Sequence, residues 1–205
     1  MRRWTPLLLL LVTTTAQACT GSGAKTPDPT VPTSATRPTT RTTAVADIAT
    51  IPAVIDAPYL NRVLAALDGV ETAAVRVILA TKDVPPEAAR IFNAIYSDEW
   101  FTREVNAWID ALGQDPKLSS IKDPPGDRRT TVNRLIATSP RCVWMAVNRD
   151  YTLSDVHPRT RTEYVALQPL DHSNDPDHHN PTAWMITADG FQKDGSEPAN
   201  PCPVS

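Results

Sequence analysis

Several things are scarce in this chain. Only 7 of its 205 residues are glycine, and no phosphate-cradling glycine-rich loop, G-x-S-x-G elbow or H-E-x-x-H pair occurs. No apolar run approaches the roughly 18–20 residues of a membrane span. Basic residues do not exceed acidic ones: 20 Lys and Arg stand against 23 Asp and Glu, for a net charge of −3. That balance offers no broad basic surface for nucleic acid, so no nucleic-acid partner is expected. Cysteines number three, Cys19, Cys142 and Cys202. Proline is the exception to this sparseness, at 20 residues.

The first eighteen residues read as an export signal. Arg2 and Arg3 form a short positive segment, Leu7 to Val12 an apolar one, and Ala16-Gln17-Ala18 presents small residues where a signal peptidase inspects the chain. That layout is too short for a transmembrane helix. The segment Ala16-Gln17-Ala18-Cys19 resembles a bacterial lipobox, with Ala16 where Leu is commonest and Gln17 larger than usual. Lipidation of Cys19 would leave an even pair of cysteines in a disulfide-permissive compartment, so a Cys142–Cys202 bridge is expected. The membrane is then a partner through the lipid anchor. Plain secretion, with Cys19 a bystander, is the alternative.

From Thr26 to Thr43, twelve of eighteen residues are Thr or Pro. Such a segment forms no core and favours extended, solvated backbone, reaching at most roughly 60 Å. It reads as a stalk, either O-glycosylated on its hydroxyls or a bare spacer. The organisation expected is a signal over residues 1–18, a lipidated cysteine and linker over 19–46, and one domain over 47–205. Residues 47–205 carry 15 basic and 22 acidic residues, a net of −7 on a basic stalk.

Within the domain, helical spacing comes first. Leu60, Val63, Leu64 and Leu67 recur at i, i+3, i+4 and i+7, with Asp56 as N-cap and Gly69 as a stop. Val70 to Thr81 then reads as a second helix or a bent extension. Pro85-Pro86 breaks the chain, and Ala88, Ile91, Phe92 and Ile95 repeat the spacing. Ser97 caps a further helix with an apolar stripe of Phe101, Val105, Trp108, Ile109 and Leu112, of which Phe101, Val105, Trp108 and Leu112 read as core, and Gly113 ends it. Strands are expected over Thr130–Ser139, Arg141–Asn148, Thr160–Gln168 and Thr182–Ala188. Helices followed by strands predict an α+β fold, with the helices on one face of a roughly four-stranded antiparallel sheet.

Candidate chemistry is thin, and neither cofactor nor metal site is expected. The run Asp171 to Asn180 holds His172, His178 and His179, with His157 upstream. Imidazole and carboxylate together suit transition ions, but the spacing matches no compact site and reads as a solvated turn. Glu163 shares a strand face with Val165 and Leu167; a carboxylate in apolar surroundings can act as acid or base, though a paired or edge charge is the commoner fate. Arg128-Arg129 and Arg159-x-Arg161 could meet an anion, but two short pairs usually read as solvated faces. Trp144, Tyr164 and Trp184 each sit mid-strand. On one face they would line an apolar concavity; otherwise they are core or surface cover.

Five segments resemble uncharacterised exported lipoproteins of actinobacteria. They are Asp123-Pro124-Pro125-Gly126-Asp127-Arg128, Ser139-Pro140-Arg141-Cys142-Val143, Arg149-Asp150-Tyr151, Thr162-Glu163-Tyr164-Val165-Ala166-Leu167 and Asn180-Pro181-Thr182-Ala183-Trp184. The likeness covers roughly residues 57–190 and brings no functional residue with it. The His-rich loop departs from the shorter, Gly-containing loop of that group. Helices followed by a four-strand meander also resemble the cone-shaped roll of nuclear transport factor 2-like domains, though no strand interrupts the early helices here. Such rolls serve as small-ligand binders, as enzymes and as envelope scaffolds. The leading expectation is a non-catalytic, lipid-anchored envelope module that contacts another envelope protein or lipid. A binding protein for a small apolar ligand is second. A carboxylate-dependent enzyme is third, to be revived by a buried Asp or Glu deep in a pocket.

Overall fold

The computed structural model describes residues 47–113, 120–157, 159–190 and 196–202. Residues 1–46, which hold the expected signal, Cys19 and the expected stalk, lie outside the described residues. Three helices, α1 (Ala57–Thr81), α2 (Pro86–Ile95) and α3 (Asp98–Leu112), precede four strands, β1 (Arg129–Ser139), β2 (Cys142–Asp150), β3 (Thr160–Pro169) and β4 (Trp184–Gly190). The strands form an open antiparallel meander in the order β1-β2-β3-β4. The helices pack on one face of it, the α+β arrangement the residue pattern predicts.

Asp56 caps α1 through its side chain, whose Oδ1 accepts from the Tyr59 N–H at 2.8 Å. Gly69 does not stop the helix. The buried stripe runs on through Asp68, Thr72, Ala74, Val75, Ile78 and Leu79, so α1 is one continuous helix. A single glycine costs a helix only about 1 kcal/mol, less than that stripe gains on burial. The helix ends at Lys82, in the left-handed conformation with φ 56°. Ser97 occupies the N-cap of α3 but makes no side-chain capping bond. The stripe of α3 is not core either: no residue of that helix is fully buried, and Ile109 is 53% exposed. Phe101, Val105, Trp108 and Leu112 pack half-buried along the margin of the core.

The core lies between α1, α2 and the sheet. Leu60, Val63, Leu64, Leu67 and Ile78 of α1 and Phe92 and Ile95 of α2 meet Val143, Met145, Val147, Val165, Leu167 and Ile186. Alternation puts Val143, Met145 and Val147 on the helix-facing side of β2 and Trp144 and Ala146 on the other. Strand β4 begins at Trp184, two residues later than its composition suggests. Asn180 and Thr182 instead build a polar turn, in which the Thr182 N–H donates to Asn180 Oδ1 at 2.9 Å. From that turn Asn180 Nδ2 donates to the carbonyls of Ala94 and Trp184, tying α2 to β4.

Candidate functional site

Two features draw the eye to the helix-facing end of the sheet. One is a cavity of about 290 Å³. The other is a set of charged side chains that continue apolar stripes. On α1, Asp68, Glu71, Thr72 and Val75 share one face at i, i+3, i+4 and i+7 and line the cavity. On α3, Glu104 and Trp108 stand one turn apart, and the indole Nε1 donates to Glu104 Oε1 at 3.0 Å. The mouth is made by two backbone segments. Val156, Lys122 and Gly126 donate their N–H groups to the carbonyls of Ser120, Ser154 and Leu153 at 2.8, 2.9 and 3.0 Å. Gly126 is needed for that approach, because a Cβ there would stand 2.8 Å from Leu153 Cβ. Arg76 holds the same segment, donating from Nε and Nη2 to the Pro125 carbonyl at 3.1 and 3.0 Å.

Arg128 forms the floor. Its Nε pairs with Asp68 Oδ1 at 3.1 Å and its Nη2 with Glu71 Oε2. Asp68 is itself fixed, accepting from the Thr130 N–H at 2.7 Å and the Thr130 hydroxyl at 2.8 Å. Burial alone would favour a neutral Arg128, but Glu71 and Asp68 outweigh it and keep the guanidinium charged. The expected solvated Arg128-Arg129 pair is therefore corrected at Arg128, which is drawn in by two carboxylates on α1. Tyr96 Oη donates to Glu71 at 2.9 Å. Burial, with Glu71 and Glu104 nearby, raises that phenol well above its ordinary value.

Glu104 is placed differently. Among the described residues it has no basic partner in an ion pair. Burial and the Glu71 charge push its carboxyl from an ordinary 4.5 up to about 7, against the opposing Arg128 charge and the Trp108 hydrogen bond. Its folded pKa thus exceeds its unfolded one, and the native state binds the extra proton. The stability contributed by Glu104 falls as pH rises from about 4.5 to 7 and is level above that. Replacing Glu104 with Gln is expected to leave stability unchanged near pH 4.5. At pH 8 the variant should be more stable than wild type by about 1–2 kcal/mol, a figure reduced for the solvent reaching this half-buried side chain. Urea unfolding at the two pH values measures it, and equal stabilities at pH 8 would contradict the raised pKa.

Behind the cavity wall lies a second charged group. Arg149 Nη1 pairs with Glu163 Oε2 at 2.8 Å and Nη2 with Asp189 Oδ2 at 2.7 Å. Arg161 pairs with Glu163 as well, and Tyr151 Oη donates to Glu163 Oε1 at 2.7 Å. Register explains the meeting: Val147 faces Glu163, Arg149 faces Arg161 and Val165 faces Asp189, all on the helix side. Glu163 is thus a paired charge, the commoner fate for a carboxylate on an apolar strand face. Burial would raise its carboxyl, but the Arg149 charge and the hydrogen bonds from Tyr151 and Arg161 hold it below its ordinary value.

The three strand aromatics do not share a lining. Trp184 faces the helices, fully buried, its indole donating to Tyr59 Oη at 2.7 Å. Trp144 and Tyr164 stack on the opposite face, ring centroids 5.6 Å apart. There they line a shallower groove of about 240 Å³ with Trp100, Arg103 and the tail prolines Pro198 and Pro201. The β4 bulge pairs Trp184 with Pro169, five residues along β3 from Tyr164, and that odd offset puts the two aromatics on opposite sides. Cys142 and Cys202 are disulfide-bonded on the outer face, beside Trp144. In the His-rich loop, Asp171 caps the short helix His172–Asn174, and buried Asp175 accepts from the His179 and Asn180 N–H groups. No group of three side chains suited to a metal ion occurs among the described residues.

The fold and site together define an α+β domain with a charged, solvent-reaching cavity between helix and sheet. No protein-family model, curated protein or solved structure matches the chain.

Proposed function

We propose that this chain is an extracytoplasmic binding protein, held at the cell membrane through Cys19, whose domain takes a small polar ligand in the cavity beside α1 and α3. One observation carries the reading: a cavity of about 290 Å³ walled by Glu104, Glu71, Arg128 and Tyr151. Few, convergent polar groups in a concave site are what fixes a small ligand's orientation. The charged wall favours a polar ligand over the apolar one that the strand aromatics suggested. A docking module, the leading expectation from sequence, calls for a contiguous exposed apolar patch. Among the described residues the large exposed apolar side chains are Val54, Ile109, Leu153 and Val156, on three separate segments. The lipobox-like Ala16-Gln17-Ala18-Cys19 and the Thr/Pro stalk support the envelope location; secretion without the lipid is the alternative.

Native mass spectrometry of the full chain, taken from the envelope of an exporting host in mild detergent, tests this. A reproducible added mass is expected on wild type. It should be absent from a folded Glu104→Lys variant, whose ammonium would occupy the cavity. A bare wild-type chain would return weight to the docking module. One observation favours a second reading, acid–base catalysis: Glu104 is held near neutrality within reach of the cavity. Conversion of the recovered ligand on incubation with fresh protein would mark an enzyme, and its return unchanged a binder.

A further inference from the structure

Resting on the ligand-binding reading above, we propose that the cavity selects a small organic cation, a primary ammonium or amidinium, with Glu104 as its counter-ion. Among the described residues this solvent-reaching cavity carries an excess of carboxylates over cations and the room to relieve it. Four carboxylates, Asp68, Glu71, Glu104 and Asp155, line the cavity against two guanidiniums, Arg128 and Arg159. Arg128 is engaged by Asp68 and Glu71, and Arg159 lies 3.7 Å from Asp155. The wall behind is balanced, Arg149 and Arg161 against Glu163 and Asp189. Among the described residues Glu104 is left over, its hydrogen bond coming from the uncharged Trp108 indole. A half-buried carboxylate with no cation beside it among the described residues attracts one, and the cavity gives that cation room.

An anion would fit poorly. It would meet Glu71 and Glu104 and find the Arg128 fork already closed on two carboxylates. A cation meets the Glu104 carboxylate, which has no ion-pair partner among the described residues, and the Trp108 ring in the same wall; the Tyr151 ring is already faced by Arg128, Arg159 and Arg161.

The site also couples binding to a proton. The groups facing Glu104 are Glu71 on α1, Tyr96 after α2, Arg128 before β1 and Asp189 on β4, with Trp108 on its own helix. Burial and the two acids favour the protonated form, while Arg128 and Trp108 oppose it. A cation needs the ionised form and expels the proton. Its affinity should therefore rise about tenfold from pH 6 to pH 8 and level off above. An anion would show the opposite slope.

Isothermal titration of the full chain in mild detergent tests this, with tyramine, putrescine and agmatine as cations and 4-hydroxyphenylacetate as the anionic counterpart of tyramine. Titrations in phosphate and in HEPES read proton release from the difference in heat. The expected result is binding of an amine with Kd of about 1 mM or tighter at pH 8. It should weaken about tenfold at pH 6, with release of close to one proton per ligand there. Glu104→Gln should weaken the amine about tenfold or more and flatten the pH profile, with a melting temperature at pH 8 no lower than wild type. Binding of the carboxylate in place of the amines would overturn the cation assignment and leave the cavity as a ligand site. Amine affinity unchanged in Glu104→Gln would place the cation elsewhere and overturn it too. Binding of neither class at about 10 mM would remove both this assignment and the ligand-site reading.

Discussion

Replacing Arg149 with methionine is expected to destabilise the domain by about 3–5 kcal/mol at pH 8, enough to unfold much of a marginal protein. The side chain of Arg149 is 4% exposed and holds two carboxylates that are themselves 2% and 11% exposed. Their fates differ. Glu163 keeps Arg161 and the Tyr151 hydroxyl, so its charge stays compensated. Asp189 makes its ion pairs, among the described residues, with Arg149 alone, and burial already raises its carboxyl. The cost therefore falls on Asp189, as an unpaired charge in a poorly hydrated place.

That assignment has a sign in pH. A carboxyl left without its cation has its folded pKa raised further. It is neutral in the fold at low pH and is charged at a cost as pH rises. The deficit of Arg149→Met should therefore shrink toward pH 5. Adding Asp189→Asn should recover more of it at pH 8 than adding Glu163→Gln, because the second change also strips partners from Arg161 and Tyr151. Urea unfolding of the four proteins at pH 5 and pH 8 decides the matter. A loss for Arg149→Met below about 1 kcal/mol, or equal rescue by the two additions, would mean that these charges are solvated in solution and that the wall behind the cavity is not rigid.

Much of the architecture was legible in the residues because it rests on periodicity. Leu60, Val63, Leu64 and Leu67, or the alternation through Val143, Met145 and Val147, carry the helix and strand signals whatever lies beyond them. Gly69 misled because a local breaker was weighed without the long stripe that overrides it. The strand aromatics were ambiguous for a different reason: whether Trp144, Tyr164 and Trp184 share a face depends on cross-strand register and on the β4 bulge, which no single strand encodes. The charged site was harder still. Arg128 beside Arg129, or Glu104 amid the polar face of α3, looks like ordinary surface. One signal was present. Arg149 continues the alternation of Val143, Met145 and Val147, Glu163 that of Val165 and Leu167, and Asp68 and Glu71 extend the buried stripe of α1. Charges falling on an apolar phase in three separate elements point to a buried network, and of these only Glu163 stands out in the sequence by itself.

The second large effect concerns the other face of the sheet. Replacing Cys202 with serine is expected to cost about 4 kcal/mol and to lower the melting temperature in oxidising buffer by about 10 °C. The bridge spans 60 residues of sequence, and closing a loop of that size in the unfolded chain is what the chain-entropy treatment credits with about 4 kcal/mol. Two other tail contacts among the described residues are weaker. Arg134 pairs with Glu197, but both side chains are largely solvent-exposed, and such pairs contribute about 0–1 kcal/mol. The Cys202 N–H donates to Asn200 Oδ1, a bond within the tail itself. Without the disulfide the segment should lift from the small apolar cluster of Cys142, Trp144 and Ala166. Trp144 would then emerge from 2% exposure, and the protein's tryptophan emission should shift to the red and become accessible to iodide. Glu104 and the cavity lie on the helix-facing side, so the pH dependence of stability assigned to Glu104 should survive in Cys202→Ser. Loss of that dependence along with the tail would show that the disulfide supports the cavity across the sheet. An unchanged melting temperature and unquenched Trp144 would show that packing alone holds the tail in place.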